Sequence, residues 1–270
     1  MRDLDPEGRI PVKALLPFLG KRIIDFQVEA LAASPFVERI YLLGLCKELA
    51  QFDLPVEYVP MDLVSDPAEK LAAGLQFLID QGYKPSLIVV STSDAPGVTQ
   101  ATIDDFLSRL PEYLDYDFVL SLVPEGIAER DFPKSGRVVA RFRDHQVFPG
   151  ELYALSPRAI MEGRKIITEI NQRRRKIDRQ ATKISMAPLI RYIARRPRTW
   201  PLLLKYGLGR ATLADAENVV SLAFGGKVKG IIIPDAGFGM DIDLPGDYQR
   251  LKEYVKRQNQ MVNQQVFRPT

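Results

Sequence analysis

The chain has one cysteine and one histidine in 270 residues, and each scarcity counts against a class of chemistry. Cys46 has no second cysteine to pair with, so a disulfide framework and a cysteine-based metal site are both excluded, and a reducing cytoplasmic setting is expected. His145 is expected on an exposed turn between two strands, and no serine or cysteine nucleophile motif accompanies it, which disfavours a Ser/His hydrolase. Apolar runs long enough to span a bilayer are missing. Arg2, Asp3, Asp5 and Glu7 interrupt the start, so no secretory leader is expected there. With 46% hydrophobic and 26% charged residues, the chain has the means to bury a large core. The expectation is a single domain over 1–270 with a basic helical insertion at 157–211.

Negative charge is scarce in one stretch. From Arg158 to Arg210 there are fifteen Lys/Arg against three Asp/Glu, although the whole chain carries only +3. Such a segment favours polyanions, whether nucleotide phosphates, anionic headgroups or nucleic acid. A solvated basic helix face accounts for it equally well. Ile160, Ile167, Ile170 and Ile177 have helical spacing within it, and Pro188, Pro197 and Pro201 divide the rest of the segment into short helices. Leu202, Leu203 and Leu204, near Trp200 and the cluster Arg195, Arg196 and Arg198, suggest an amphipathic surface that packs on the core, closes over the site or lies on a membrane. Nucleic-acid binding is not expected, because no aromatic platform is interleaved with the charge.

Elsewhere, strand-length apolar runs alternate with helix-period segments, the pattern of βα units feeding a mainly parallel sheet. A helix is expected over Lys21–Ser34, and strands at Val37–Leu45 and Val56–Met61. Asp66, Pro67 and Glu69 mark a helix start. Ser86–Thr92 is a strand rich in β-branched residues; Thr99 caps a helix to Leu110, and Phe118–Val123 is a further strand. Two short, partly antiparallel strands are expected at Arg137–Phe142 and Gly150–Leu155. A helix at Asp215–Phe224, a strand at Val228–Ile233 and a last helix after Pro245 complete the reading.

In open α/β sheets, ligands gather beyond the carboxyl ends of the strands, where loop amides and helix N-termini converge. Two acidic elements are expected at that edge. Asp94 follows the strand SLIVVST; Asp241 and Asp243 (GMDIDLPGD) follow VKGIIIP after a glycine-containing loop. Magnesium takes one or two carboxylates and fills its other positions with water and substrate phosphates, which one aspartate from each loop would satisfy. Asp94 serves equally well to order its own turn. Asp247 falls in the first turn of the last helix, a structural position, which leaves Asp243 as the better ligand.

These residues resemble the MobA-like nucleotidyltransferase (NTP transferase) family. Val12-Lys13-Ala14-Leu15-Leu16-Pro17 with Gly20-Lys21 looks like its PKALLP…GKP segment, IVVSTSDAPGVT like its strand and metal-binding Asp, and FGMDIDLPGDY like its late D-x-D-x-P-x-D element. The resemblance implies an α/β, mainly parallel, doubly wound sheet of the nucleotide-diphospho-sugar transferase type, with a small antiparallel part. It implies Mg held by Asp94 and Asp243, with Asp241 beside them, and Lys13 on the triphosphate with Ser93 and Asp94 lining the nucleotide. Phe148-Pro149-Gly150-Glu151 resembles the acceptor-side loop, with Glu151 near the acceptor. The implied reaction moves a nucleoside monophosphate from a nucleoside triphosphate to a phosphorylated small-molecule acceptor, releasing pyrophosphate. The family's opening strand and LAGGxGxR loop have no counterpart ahead of Lys13. Their lack implies either a start further upstream, the favoured expectation, or a rearranged domain with an exposed sheet edge. Two other readings stand beside this one: a metal-dependent glycosyltransferase using a nucleotide sugar, and a catalytically inactive nucleotide-binding regulatory module.

Overall fold

The computed structural model describes residues 4–5, 7–63, 66–163, 193–243 and 245–266. Ile167, Ile170, Ile177 and Pro188 lie outside the described residues, as does most of the expected basic insertion.

The strands are β1 (Pro17–Phe18), β2 (Lys21–Arg22), β3 (Ile40–Leu43), β4 (Val56–Val59), β5 (Ile88–Ser91), β6 (Phe118–Pro124), β7 (Ala140–Arg141), β8 (Gln146–Leu155) and β9 (Val228–Ile232). The α-helices are α1 (Ile23–Ala33), α2 (Pro67–Asp80), α3 (Gln100–Arg109), α4 (Glu125–Asp131), α5 (Trp200–Gly207), α6 (Leu213–Phe224) and α7 (Pro245–Val266). Caps set several starts, at Asp66 and Thr99 as the sequence predicts and at Thr212 in addition. Asp66 accepts a hydrogen bond from the Ala68 amide ahead of α2, Thr99 closes a capping box on α3, and Thr212 does the same for α6. Each such cap is worth about 1 kcal/mol.

The larger sheet runs β5-β8-β6-β9, with β7 added to β8. β6 and β9 are parallel, while β8 lies antiparallel to both β5 and β6. So β5, β6 and β9 share one direction and β8 alone among these four opposes them, which gives a mixed sheet. Its middle is dry: Val119, Leu152 and Ala154 have no exposed surface, and α3 covers them with Ile103 and Phe106. The strand expected at Arg137–Phe142 shrinks to Ala140–Arg141, and α4 was not anticipated. The register of β6 on β8 shifts between Leu120 and Leu122, a bulge at the stretch containing Gly150, as a glycine inside a strand foretells.

β3 and β4 form a separate parallel pair. Among the described residues neither is hydrogen-bonded to the larger sheet, so β3 and β5 each keep one edge without a strand partner. Two helices nevertheless straddle both. Ile24 and Val28 of α1 pack on Ile40 and Leu42, while Gln27 of α1 donates to Ser91 Oγ at 2.6 Å. On the other face, Phe77 of α2 meets the Tyr41 ring at 6.0 Å and Leu75 packs with Ile88 and Val90. Alternation along β3 sends Ile40 and Leu42 to one helix and Tyr41 to the other.

Candidate active site

The site is made where two loops meet at the carboxyl ends of β5 and β9. After β5 the chain turns through Ser93 and Asp94, then buries Ala95, Pro96, Gly97 and Val98 before Thr99 starts α3. Gln27, only 2% exposed, orders this turn from below. Its Oε1 accepts from the Ala95 amide at 3.4 Å while its amide group holds Ser91. A buried polar side chain survives only when paired, and here the pairing fixes the loop that carries Asp94.

The second loop follows β9 and contains a short 3-10 turn, Gly237–Gly239. Asp235 Oδ1 accepts from the Phe238 amide at 3.0 Å and shapes that turn. Beyond it, Met240 and Ile242 are fully buried, whereas Asp241 is half-buried and Asp243 exposed. That is the two-residue alternation of an extended segment: burying Met240 and Ile242 obliges Asp241 and Asp243 to share the opposite side.

The loops touch through backbone. The Ile242 amide donates to the Asp94 carbonyl at 3.0 Å. Gly97 and Gly237 lie against each other so closely that a Cβ on Gly237 would stand 2.5 Å from the Gly97 carbonyl oxygen and 2.6 Å from the Tyr254 ring. Both positions need glycine for close approach.

Lys13 enters from a 3-10 turn, Lys13–Leu15, whose Ala14 is buried. Its ammonium bridges the two loops, 2.5 Å from Asp94 Oδ2 and 2.8 Å from Asp243 Oδ1. Burial alone would lower the lysine's pKa, but the charges and hydrogen bonds of Asp94 and Asp243 outweigh it and raise the value. Lys13 is therefore a fixed positive charge. Asp94, Asp241 and Asp243 each offer a carboxylate oxygen, all within 4.8 Å of one another. The two loops that the sequence places at one sheet edge thus meet, with Lys13 between them. Ser93 is exposed on the Asp94 turn.

Three residues essential to the arrangement carried little sequence signal. Arg137, expected in a strand, instead reaches the second loop. It donates to the Asp241 carbonyl at 2.9 Å, touches Met240 Sδ at 3.3 Å and forms an ion pair with the Asp241 carboxylate. Burial pushes Asp241 upward in pKa, opposed by Arg137 and reinforced by Asp243 and Asp94. For Asp243, burial is outweighed by Lys13, which holds the carboxyl below its usual range. Gln27 is the second, and only its burial on α1 could have marked it. Glu151 is the third in effect, marked in the sequence by family likeness alone. It sits at the bulge of β8, where its Oε2 accepts from Thr92 Oγ1 at 2.8 Å and its carbonyl accepts from the Thr92 amide at 3.1 Å. Burial, then the nearby charges of Asp241 and Asp94, push its carboxyl up to about 8, so at neutral pH it is mainly protonated. His145 lies beside Asp144 Oδ2 at 3.2 Å on the turn between β7 and β8, and Asp247 is buried in the first turn of α7.

The donor set suits a hard divalent cation. It is all oxygen and comes from two loops joined by a backbone hydrogen bond, with Asp241 Oδ1 buried against the Arg137 guanidinium. Lys13 pairs with Asp94 and Asp243, two of the three carboxylates that would hold such an ion. Two cationic side chains against three aspartates leave a formal negative charge at the site.

Residues 8–130 match the MobA-like NTP transferase domain, which bears out the resemblance read from the VKALLP and STSDAPG segments. No curated protein matches the chain. Among solved structures, a hypothetical transferase from Thermus thermophilus is 24% identical with a TM-score of 0.65, covering 89% of this chain and 93% of its own. A CMP:2-keto-3-deoxy-manno-octonic acid synthetase complexed with CTP is 12% identical with a TM-score of 0.53, covering 93% of this chain and 94% of its own. At these identities the likeness is one of fold, and the fold is the α/β nucleotide-diphospho-sugar transferase type.

Proposed function

We propose that this chain is a nucleotidyltransferase that moves a nucleoside monophosphate from a nucleoside triphosphate to a phosphorylated small-molecule acceptor. The observation that carries the reading is the meeting of Asp94, Asp241 and Asp243 from two distant loops around Lys13. The MobA-like match over residues 8–130 supports it, as does the fold shared with a synthetase that was solved with CTP.

In this reading an acceptor phosphate oxygen attacks the α-phosphorus. A new P–O bond forms, the bond from the α-phosphorus to the bridging oxygen breaks, and pyrophosphate leaves with the electron pair. Asp94 and Asp243 are the residues that would hold Mg, with Asp241 alongside, and the ion when bound supplies charge neutralisation to the phosphates. Lys13, released from its two carboxylates, moves its fixed charge onto the triphosphate. Ser93 is placed to line the nucleotide beside Asp94. Arg137 keeps Asp241 oriented by gripping both its carbonyl and its carboxylate. Glu151, neutral below about 8, lines the floor without adding a fourth negative charge, and an acceptor phosphate needs no base because it is already ionised. The single domain over 1–270, with its basic insertion at 157–211, belongs to the same proposal.

The test is pyrophosphate release by the full chain with each nucleoside triphosphate and Mg, across a panel of phosphorylated acceptors, compared with nucleotide sugars. Release with a triphosphate and not with a sugar nucleotide is expected; transfer from a sugar nucleotide would replace this reading with the glycosyltransferase one. Among the described residues no strand pairs with the outer edge of β5 beside Asp94, which favours a second reading, a nucleotide-binding module without turnover. Calorimetric binding of a triphosphate with no pyrophosphate released in any combination would establish it.

A further inference from the structure

Helix α5 is apolar on two sides, and among the described residues only one of them is packed. Leu202 and Leu203 pack inward on Ile193, Val219 and Ala223, the last two from α6. Trp200 and Leu204 stand four residues apart on the opposite side of the helix, and Leu208, the residue that caps its C-terminal end, follows four residues later and continues the stripe. All three are open to solvent, at 59%, 66% and 61% exposure. Their exposure is built rather than accidental. The Trp200 indole N–H donates to the Ala194 carbonyl at 2.8 Å, which satisfies its one polar group and holds the ring outward. Pro201 at the start of the helix and Thr199, whose hydroxyl donates to the Ile193 carbonyl at 2.9 Å, fix the helix beneath it.

The segment that carries the stripe has charge of one sign. Residues 193–210 contain five Lys/Arg and no Asp/Glu. Lys205 is paired with Asp215, while Arg198 and Arg210 are exposed at either end of the helix. An indole at the rim, two leucines along the stripe and arginines at both ends match an anionic bilayer surface, where aromatic and aliphatic groups enter the headgroup boundary and the guanidinium groups meet phosphates.

We propose that α5 docks this protein onto anionic lipid membranes, lying in the interface with Trp200, Leu204 and Leu208 inserted. This inference stands apart from the transferase reading, because it uses none of the site residues. A single stripe of three residues gives reversible rather than permanent attachment.

The chain reports on its own docking, since Trp200 is its sole tryptophan. The full chain is mixed with vesicles of phosphatidylcholine alone or enriched in phosphatidylglycerol, then followed by sedimentation and by tryptophan emission. The expected result is sedimentation with the anionic vesicles only, a blue shift of the emission, and loss of both in high salt. Leu204→Glu with Leu208→Glu should abolish binding while the circular dichroism and melting of the protein stay unchanged. Arg198→Ala with Arg210→Ala should weaken binding on the order of tenfold without touching an apolar side chain, so the inference stays decidable if the first variant folds poorly. Sedimentation with no blue shift would overturn it, leaving adsorption by charge elsewhere. So would equal binding to both vesicle types, retention by RNA in place of vesicles, or a dimer in solution that the leucine variant dissolves.

Discussion

The two parts of the sheet are built to different standards. In β6 and β8, strands are paired on both sides and Val119, Leu152 and Ala154 are fully enclosed. In β3, β4 and β5 the pairing is broken; among the described residues β3 and β5 each have a bare edge, and Val89 in the middle of β5 is 38% exposed. Helices α1 and α2 do the joining that backbone hydrogen bonds do elsewhere. The candidate site lies along this divide. Asp94 follows the strand with the bare edge, whereas the loop of Asp241 and Asp243 leaves β9 at the far side and crosses the closed part to reach it. Loop contacts, rather than a continuous sheet, therefore hold the carboxylates in place.

The largest expected effect tests whether the meeting point is the working part. Asp94→Asn should lower pyrophosphate release about a hundredfold to a thousandfold, with melting little changed. An activity within a few-fold of the parent would separate the site from the reaction.

Next comes Arg137→Met, which removes the partner of the half-buried Asp241 carboxylate. Stripping one member from such a pair costs about 3 kcal/mol, to be read from urea unfolding. A smaller loss on also replacing Asp241 with Asn would show that the cost arises from the uncompensated charge.

Glu151 gives a pH signature. Its folded-state value of about 8 stands above the ordinary 4.5, so between those limits the folded chain keeps a proton that the unfolded chain releases. Stability must then fall as pH rises through that window and level off above it, by a few kcal/mol at most. Melting the metal-free protein and Glu151→Gln in parallel across the window should show the slope flattened in the variant.

Gly237→Ala tests the backbone contact between the loops. A Cβ 2.5 Å from the Gly97 carbonyl forces them apart, costing about 2 kcal/mol and loosening the grip on a cation.

The smallest effect contrasts the two sheet parts directly. Val89→Ala, at the bare edge, should cost under about 0.5 kcal/mol, against about 2 kcal/mol for Val119→Ala in the closed part. Equal costs in urea unfolding would mean that β5 is enclosed in solution.

Much of this was legible in the sequence because it depends on local rules. Caps at Asp66 and Thr99, the β-branched run of β5, and aspartates just beyond strand ends all act within a few residues of where they are written. What escaped depends on distance. Arg137 looked like a strand residue, yet its role is fixed by Asp241, which lies beyond several intervening elements. Gln27 carries no pattern except its helical position, and its purpose is set by Ser91 and Ala95. β8 starts earlier than expected because the residues ahead of the bulge near Gly150 pair with β7 and with the end of β6, and α4 is short enough that seven residues show little periodicity. Lys13 is intermediate: its segment was recognisable by family likeness, while its bridge between two carboxylates is a product of folding.

In the proposed mechanism Asp94 and Asp243 act as one binding unit across the two loops. The most direct measurement is the affinity of Mn²⁺ with a nucleoside triphosphate, read by electron paramagnetic resonance for the parent, Asp94→Asn, Asp243→Asn and the double variant. If the aspartates share one cation, each single change should cost nearly as much as both together. Losses that simply add would mean that the two carboxylates work independently, and would contradict the claim.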